Sequence, residues 1–177
     1  MRFLKNMFLA LLGLILLVVA IGFFLPSGYH VSRSIVIAAP AERIFAQLDA
    51  PRQWKHWSEW NRRDPAMQLS YSGPDQGVGA KWSWQSRTEG NGAMTFTRVE
   101  PGKQLEYELV FPDFGSRSSG KLTLEEQGGQ TKVTWTNDGD MGGNPLMHYF
   151  ALMMDGLVGP DFDKGLANLK RLSESQH

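Results

Sequence analysis

Nineteen residues from Met7 to Leu25 carry no charge, and they follow the basic residues Arg2 and Lys5. As a helix this run would be roughly 28 Å long, close to the ~30 Å hydrocarbon core of a bilayer. Its Leu, Ile, Val and Phe content suits insertion. A cleaved signal peptide is the competing reading. The run exceeds the ~7–15 residues of a signal core, however, and Phe24-Leu25-Pro26-Ser27-Gly28 offers no small-x-small cleavage site. The expectation is therefore an uncleaved, single-pass anchor in the cell inner membrane. Arg2 and Lys5 keep residues 1–6 as a short cytoplasmic tip, and the rest of the chain lies on the non-cytoplasmic side. His30 and Arg33 oppose that bias without reversing it.

After the span at 7–25 and a linker at 26–30, the expected domain is 31–173, with a tail at 174–177. Tyr29 to His177 is 149 residues, enough for one domain with a core of its own. Setting aside Arg2 and Lys5 leaves 16 basic against 18 acidic residues, a formal charge of −2 with His neutral. Such a domain lacks the basic field that nucleic acid requires, so no nucleic-acid partner is expected. The chain has no cysteine, which excludes disulfides and thiolate chemistry. The five linker residues reach at most ~18 Å, which holds the domain near the bilayer.

Val31, Ile35 and Ile37 share one face of a first strand, with Arg33 as the exception on that face. Pro40 then opens a helix in which Ala41, Ile44, Phe45 and Leu48 recur at helical spacing. A tryptophan cluster follows at Trp54, Trp57 and Trp60. Six further strands are expected at 67–72, 80–87, 93–99, 104–111, 121–125 and 132–137. Pro101-Gly102 and Gly128-Gly129 supply the turns between some of them. A C-terminal helix begins with Asn144 as cap and Pro145 at its first position. It is expected to break at Gly159-Pro160 and to resume with Phe162, Leu166, Leu169 and Leu172 on one stripe.

This order is α+β: an antiparallel sheet covered on one face by helix. Trp82 and Trp84 alternate with Lys81, Ser83 and Gln85, while Leu105, Tyr107, Leu109 and Phe111 alternate with Glu106 and Glu108. Val133 and Trp135 do the same with Lys132 and Thr134. The inner face is thus aromatic, and a sheet curling around a helix with such a face can leave a concave apolar space. The candidate pocket-lining residues are Trp54, Trp57, Trp82, Trp84, Phe96, Tyr107, Phe111, Trp135, Phe150 and Met153. Any one of them serves equally well as ordinary packing, and only the set favours a cavity. The three tryptophans have a second reading, as a gate at the membrane interface. Helix packing is the favoured one.

The run Ile35-Val36-Ile37-Ala38-Ala39-Pro40-Ala41-Glu42-Arg43-Ile44-Phe45, the tryptophan cluster, Tyr71-Ser72-Gly73, Gly77-Val78-Gly79-Ala80, Trp82-Ser83-Trp84 and the ending Phe162 to Lys170 resemble the START-like (SRPBCC) superfamily. The polyketide cyclase/dehydrase and lipid-transport branch is the nearest in character. The likeness covers roughly residues 30–173 and rests on the ordered combination. It implies a helix-grip fold, in which a curved seven-stranded antiparallel sheet wraps a long C-terminal helix and encloses a deep hydrophobic pocket. It implies binding of lipids, isoprenoids or aromatic metabolites, and it does not imply a reaction. The anchor lies outside the shared domain.

The four histidines, His30, His56, His148 and His177, show no spacing that would set two on one metal, so neither metal nor cofactor is expected. Asp113-Phe114-Gly115 lacks every other kinase element and reads as a turn. His148, Tyr107 and Arg98 are the acid–base candidates if they face inward. Asp138 and Asp140 are candidates for a pocket rim, though Asn-Asp-Gly-Asp is also ordinary turn chemistry. The reading that follows is a membrane-anchored binding domain for a hydrophobic small molecule. The alternative is a cyclase or dehydrase-type enzyme working on a pocket-bound substrate. If Arg2 and Lys5 set the orientation, a Ser175→Cys chain reacts with a membrane-impermeant maleimide once the outer barrier is opened. Reaction only after the inner membrane is lysed would reverse the topology.

Overall fold

The computed structural model describes residues 2–175. Helix α1 (Arg2–Gly22) is long and apolar enough to cross a membrane, and of its residues only Gly22 is buried. Strand β1 (Gly28–Ile37) follows, then three short helices, α2 (Ala41–Phe45), α3 (Trp54–Trp57) and α4 (Glu59–Arg63). Six strands come next: β2 (Gln68–Ser72), β3 (Lys81–Gln85), β4 (Gly92–Glu100), β5 (Gln104–Phe111), β6 (Ser116–Gln127) and β7 (Gln130–Asp140). The chain ends in α5 (Pro145–Glu174). All pairings are antiparallel, and the sheet order is β1-β7-β6-β5-β4-β3-β2. This is the expected seven-stranded helix-grip arrangement.

The linker is shorter than periodicity suggested, because β1 begins at Gly28: Tyr29 pairs with Gly139 and His30 with Asp138. Asp138 and Asp140 belong to β7 rather than to a loop, and their side chains bond His30 and Ser27. Gly128 and Gly129, at φ 62° and 77°, make the two-residue turn between β6 and β7, which demands left-handed backbone at both positions.

The core forms between the concave face of the sheet and the helices. Val31 and Ile37 of β1, Ile44, Phe45 and Leu48 around α2, and Leu166 and Leu169 of α5 are all buried. Trp54 and Trp57 are pinned as well as packed, because their indole N–H groups donate to the carbonyls of Leu48 (2.8 Å) and Gln47 (3.0 Å). Packing therefore accounts for these two tryptophans, and both are buried. Trp60 alone of the three is partly exposed.

Helix α5 starts as expected: the Asn144 side chain accepts from the Leu146 N–H at 3.0 Å, with Pro145 at the first position. It does not break at Gly159-Pro160 but runs through 30 residues. Proline deprives the helix of one N–H, which would have gone to the Gly156 carbonyl. The helix continues across that gap, tied to β1 on both sides of it. Arg33, the odd polar residue on the inner face of β1, bonds Asp155 in bidentate fashion (2.7 and 3.1 Å) and Asp163 at 3.2 Å, carboxylates that flank Pro160 along the helix. Hydrogen bonding to Arg33 holds the Asp155 carboxyl below the ordinary carboxylate range. The guanidinium lies over Gly159, where an added Cβ would meet its Nη2 at 1.9 Å.

Glycine to alanine inside a helix ordinarily stabilises by about 0.5–1 kcal/mol. Here Gly159→Ala is expected to lower the melting temperature, because it displaces Arg33. In an Arg33→Ala background the same change should return to the ordinary stabilising sign, and a double-mutant cycle by thermal denaturation measures the reversal.

Candidate functional site

Between α5, α3 and α4 and the concave face of the sheet lies a cavity of about 170 Å³. Its walls are aromatic. Trp54 meets Trp82 at 5.1 Å between ring centroids and Tyr107 at 5.7 Å edge-on, Trp84 meets Phe111 at 5.6 Å edge-on, and Trp135 stacks on Phe162 at 3.9 Å and 3°. Leu109, Met94, Met154 and Val158 fill the spaces between the rings.

The sheet makes room for this cavity by a repeated device. Three aromatic residues lie directly opposite glycine in the ladder: Trp84 opposite Gly92, Tyr107 opposite Gly120 and Tyr29 opposite Gly139. Each ring lies across its glycine so closely that a Cβ there would fall 2.2, 2.0 and 2.4 Å from ring atoms. Rings laid flat on the sheet leave open the volume they would occupy if they stood upright. Next to one another in β6 and β7, Ser118 pairs with Gly139 and Gly120 with Asn137, a patch of small and polar residues from which Ser118 and Asn137 reach the cavity floor.

The floor carries a buried polar chain. The Trp135 indole N–H donates to the Tyr107 hydroxyl at 2.8 Å, and an Asn137 amide N–H donates to the Ser118 hydroxyl at 3.3 Å. Asn137 also neighbours Tyr107, and Ser118 neighbours Tyr29. Burial pushes both phenols above the ordinary tyrosine range, so neither ionises near neutral pH. The floor is therefore neutral. Carboxylates appear only higher on the wall, where Glu59 and Asp161 line the cavity and pair outward with Lys164 (3.8 Å) and Arg63 (2.8 Å). Arg63 also sits over the Trp60 ring at 4.8 Å.

Of the ten residues expected from sequence to line a pocket, Trp54, Trp82, Trp84, Tyr107, Phe111 and Trp135 do line it. Trp57 and Phe96 are buried behind the wall, against Trp135 and Trp82 respectively. Phe150 and Met153 need correction: they are about half exposed on the outer side of α5. Helical phase is the reason, since the cavity takes Met154, Val158 and Phe162, a stripe four residues apart. His148 is turned away from the cavity, with Nδ1 2.8 Å from the Gly22 carbonyl oxygen and Nε2 2.9 Å from that of Gly142. Arg98 is exposed and paired with Glu100 and Glu106. Among the described residues no three of His, Asp and Glu gather as a metal ligand set.

Sequence reasoning missed the floor. Asn137 continues the inward parity of Val133 and Trp135 by one step, and that signal was available. Ser118 and Tyr29 lie outside the apolar alternation that marked the strands.

The match to known proteins follows the same geometry. Residues 29–174 match the family described as polyketide cyclase / dehydrase and lipid transport. The chain belongs to that family. No curated protein matches it in sequence. Among solved structures, protein CV1439 from Chromobacterium violaceum is similar at a TM-score of 0.62 and 16% identity, over 84% of this chain and 99% of that one. Norcoclaurine synthase from Thalictrum flavum, in complex with dopamine and hydroxybenzaldehyde, is similar at 0.64 and 15%, over 89% and 92%. DynU16, a protein in the dynemicin biosynthetic locus, is similar at 0.59 and 17%, over 82% of this chain and 47% of that one. At these identities the likeness is one of fold.

Gly120→Ala should force Tyr107 off the sheet and into the cavity. The expected result is a loss of apolar-probe binding of roughly tenfold or more, equal to about 1.4 kcal/mol. Tyr107→Phe should instead preserve the shape but strand the buried Trp135 N–H, at a cost of about 1–3 kcal/mol in a denaturant melt. The raised phenols add a pH signature. A folded-state pKa above the unfolded value near 10 contributes stability that is present below pH ~10 and lost as pH rises beyond it. Alkaline destabilisation should therefore be shallower in Tyr107→Phe than in the parent.

Proposed function

We propose that this protein is a membrane-anchored binding domain for a small hydrophobic molecule bearing one neutral polar group. α1 serves as its inner-membrane anchor, and the domain stands on the non-cytoplasmic side. The observation that carries this reading is the cavity itself, with walls of tryptophan and phenylalanine around a floor of neutral hydrogen-bonding groups. In such a site the apolar walls supply affinity and the few polar groups orient the ligand.

Size narrows the ligand. An apolar cavity of about 150 Å³ holds a benzene-sized molecule, so the space here takes an aromatic ring or one short isoprenoid unit. A two-chain lipid would need the walls to part. Charge narrows it further. Among the described residues no cationic side chain lines the cavity while two carboxylates do, so an anionic headgroup gains nothing inside. A hydroxyl, phenol or carbonyl suits Asn137, Ser118 and Tyr29. The likeness in fold to norcoclaurine synthase bound to two small aromatic molecules supports that ligand class.

The second reading is an enzyme of the cyclase type, favoured by Glu59 and Asp161 on the wall, where either could take a proton from a bound substrate. Their ion pairs with Lys164 and Arg63 favour the binding role.

The test uses the full chain purified in mild detergent. Mass spectrometry should identify a copurifying neutral aromatic or isoprenoid compound. Titration with an apolar fluorescent probe should give saturable binding that the compound displaces. Truncating a packed tryptophan ordinarily costs ~3–5 kcal/mol, whereas Trp84→Ala, which borders an existing space, should cost less than ~2 kcal/mol and weaken probe binding about tenfold. A chain that yields no ligand and binds no probe would overturn the reading. Turnover of the compound that is abolished by Glu59→Gln or Asp161→Asn, with binding retained, would establish the enzyme instead.

A further inference from the structure

We propose that the first half of α5, from Leu146 to Leu157, lies on the bilayer surface as a second membrane contact beside α1. The proposal rests on the reading of α1 as a membrane span. Leu146, Phe150, Met153 and Leu157 recur at i, i+4, i+7 and i+11 along one stripe, and each is about half exposed. Four large apolar side chains in line is more than the scattered exposure usual on a soluble surface. No Asp, Glu, Lys or Arg occurs between Met141 and Met154, and Asp155 is matched by Arg33.

What covers this stripe follows from its attachment to α1. The Tyr149 hydroxyl donates to the Val18 carbonyl at 2.8 Å, and His148 reaches the Gly22 carbonyl oxygen. Val18 lies one turn, about 6 Å, before the end of α1. The first turn of α5 is therefore level with the last turn of the span, at the depth where hydrocarbon gives way to headgroups. Gly22 is packed against Pro145 so closely that a Cβ would fall 2.4 Å from the Pro145 carbonyl oxygen, which keeps the two helix ends in register. Phe23 and Phe24, just past the end of α1, are exposed as well. An apolar stripe held at that depth suits a helix lying in the interface plane.

The placement bears on ligand exchange. Met154 and Val158, which line the cavity, adjoin Met153 and Leu157 in the helix, so one helix edge faces lipid and the next faces the ligand. A hydrophobic molecule could pass between bilayer and cavity along α5 without crossing water.

The chain has no cysteine, so single cysteines report cleanly. Phe150→Cys, Met153→Cys, Leu11→Cys and Gln127→Cys chains, each carrying an environment-sensitive fluorophore, would be reconstituted in vesicles of phosphatidylethanolamine and phosphatidylglycerol. The lipids carry nitroxide quenchers either near the headgroup or deep in the acyl chains. Position 127 adjoins the β6–β7 turn, at the end of the sheet away from α1. The expected result is blue-shifted emission at 150 and 153 with shallow-nitroxide quenching roughly twofold or more above that at 127, and deep quenching at 11. Deep quenching at 11 without quenching at 150 or 153 overturns the proposal and leaves the span intact. A blue shift at 150 and 153 that grows with protein density but resists lipid quenching also overturns it, and makes the stripe a contact between copies. Failure to quench at 11 removes the span and the proposal together.

Discussion

The binding space depends on aromatic rings lying flat on glycine. Trp84, Tyr107 and Tyr29 each face a glycine across the ladder, and the missing Cβ atoms let the rings settle against the backbone. A sheet this rich in tryptophan would otherwise fill its own concavity, as close packing tends to do. Because the rings are held down by their neighbours, the space above them stays open. The same arrangement aligns the hydroxyls of the two tyrosines with Ser118 and Asn137, so shape and polarity at the floor have one origin. The volume is thus governed by residues that touch the rings, and differences between relatives at positions 92, 120 and 139 would bear on ligand size as much as changes in the lining.

That device also explains what could and could not be read from the chain. Alternation of apolar and polar residues located β3, β5 and the middle of β7, because their inward positions are Trp, Tyr, Leu and Val. It lost the first five residues of β6, Ser116 to Gly120, whose inward positions are Ser118 and Gly120, and the last three of β7, which include Gly139. Ser118, in the first of those stretches, lines the cavity floor beside Asn137, and the second begins just past Asn137. A strand that must stay small on its inner face shows no hydrophobic period, so the most functional part of the sheet is the least legible. The helix-grip arrangement itself was evident from the order of elements and from the resemblance to the START-like superfamily, and the family match over residues 29–174 agrees with it. On α5 the helical period was clear and only its phase was misjudged. Phe150 and Met153 were assigned inward, where Met154 and Val158 in fact point, because every residue from Phe150 to Met154 is apolar and the pattern carries no polar face to orient it. The break expected at Gly159-Pro160 failed for a tertiary reason: Arg33, 122 residues before Asp155 in the chain, bridges Asp155 and Asp163 across the gap.

Arg33 and Tyr29 also show how much is concentrated in β1. Ten residues pair with β7 along their whole length, carry one phenol to the cavity floor and brace the helix that forms the opposite wall. The strand begins directly after the apolar helix, so the N-terminal segment and the cavity are joined by a short, hydrogen-bonded path rather than by a slack tether.

The bonds from His148 and Tyr149 to the carbonyls of Gly22 and Val18 make the N-terminal helix an unusual sort of appendage. A soluble version cut at the start of β1 would be a different molecule in one respect. It would present to water a phenol that has lost its partner and an imidazole left with only the Gly142 carbonyl, on a helix turn where Pro145 no longer meets Gly22. Its first turns would be free to fray, and those turns run directly into the cavity wall. Affinities measured on such a trimmed chain would describe a looser vessel than the one held when α1 is in place.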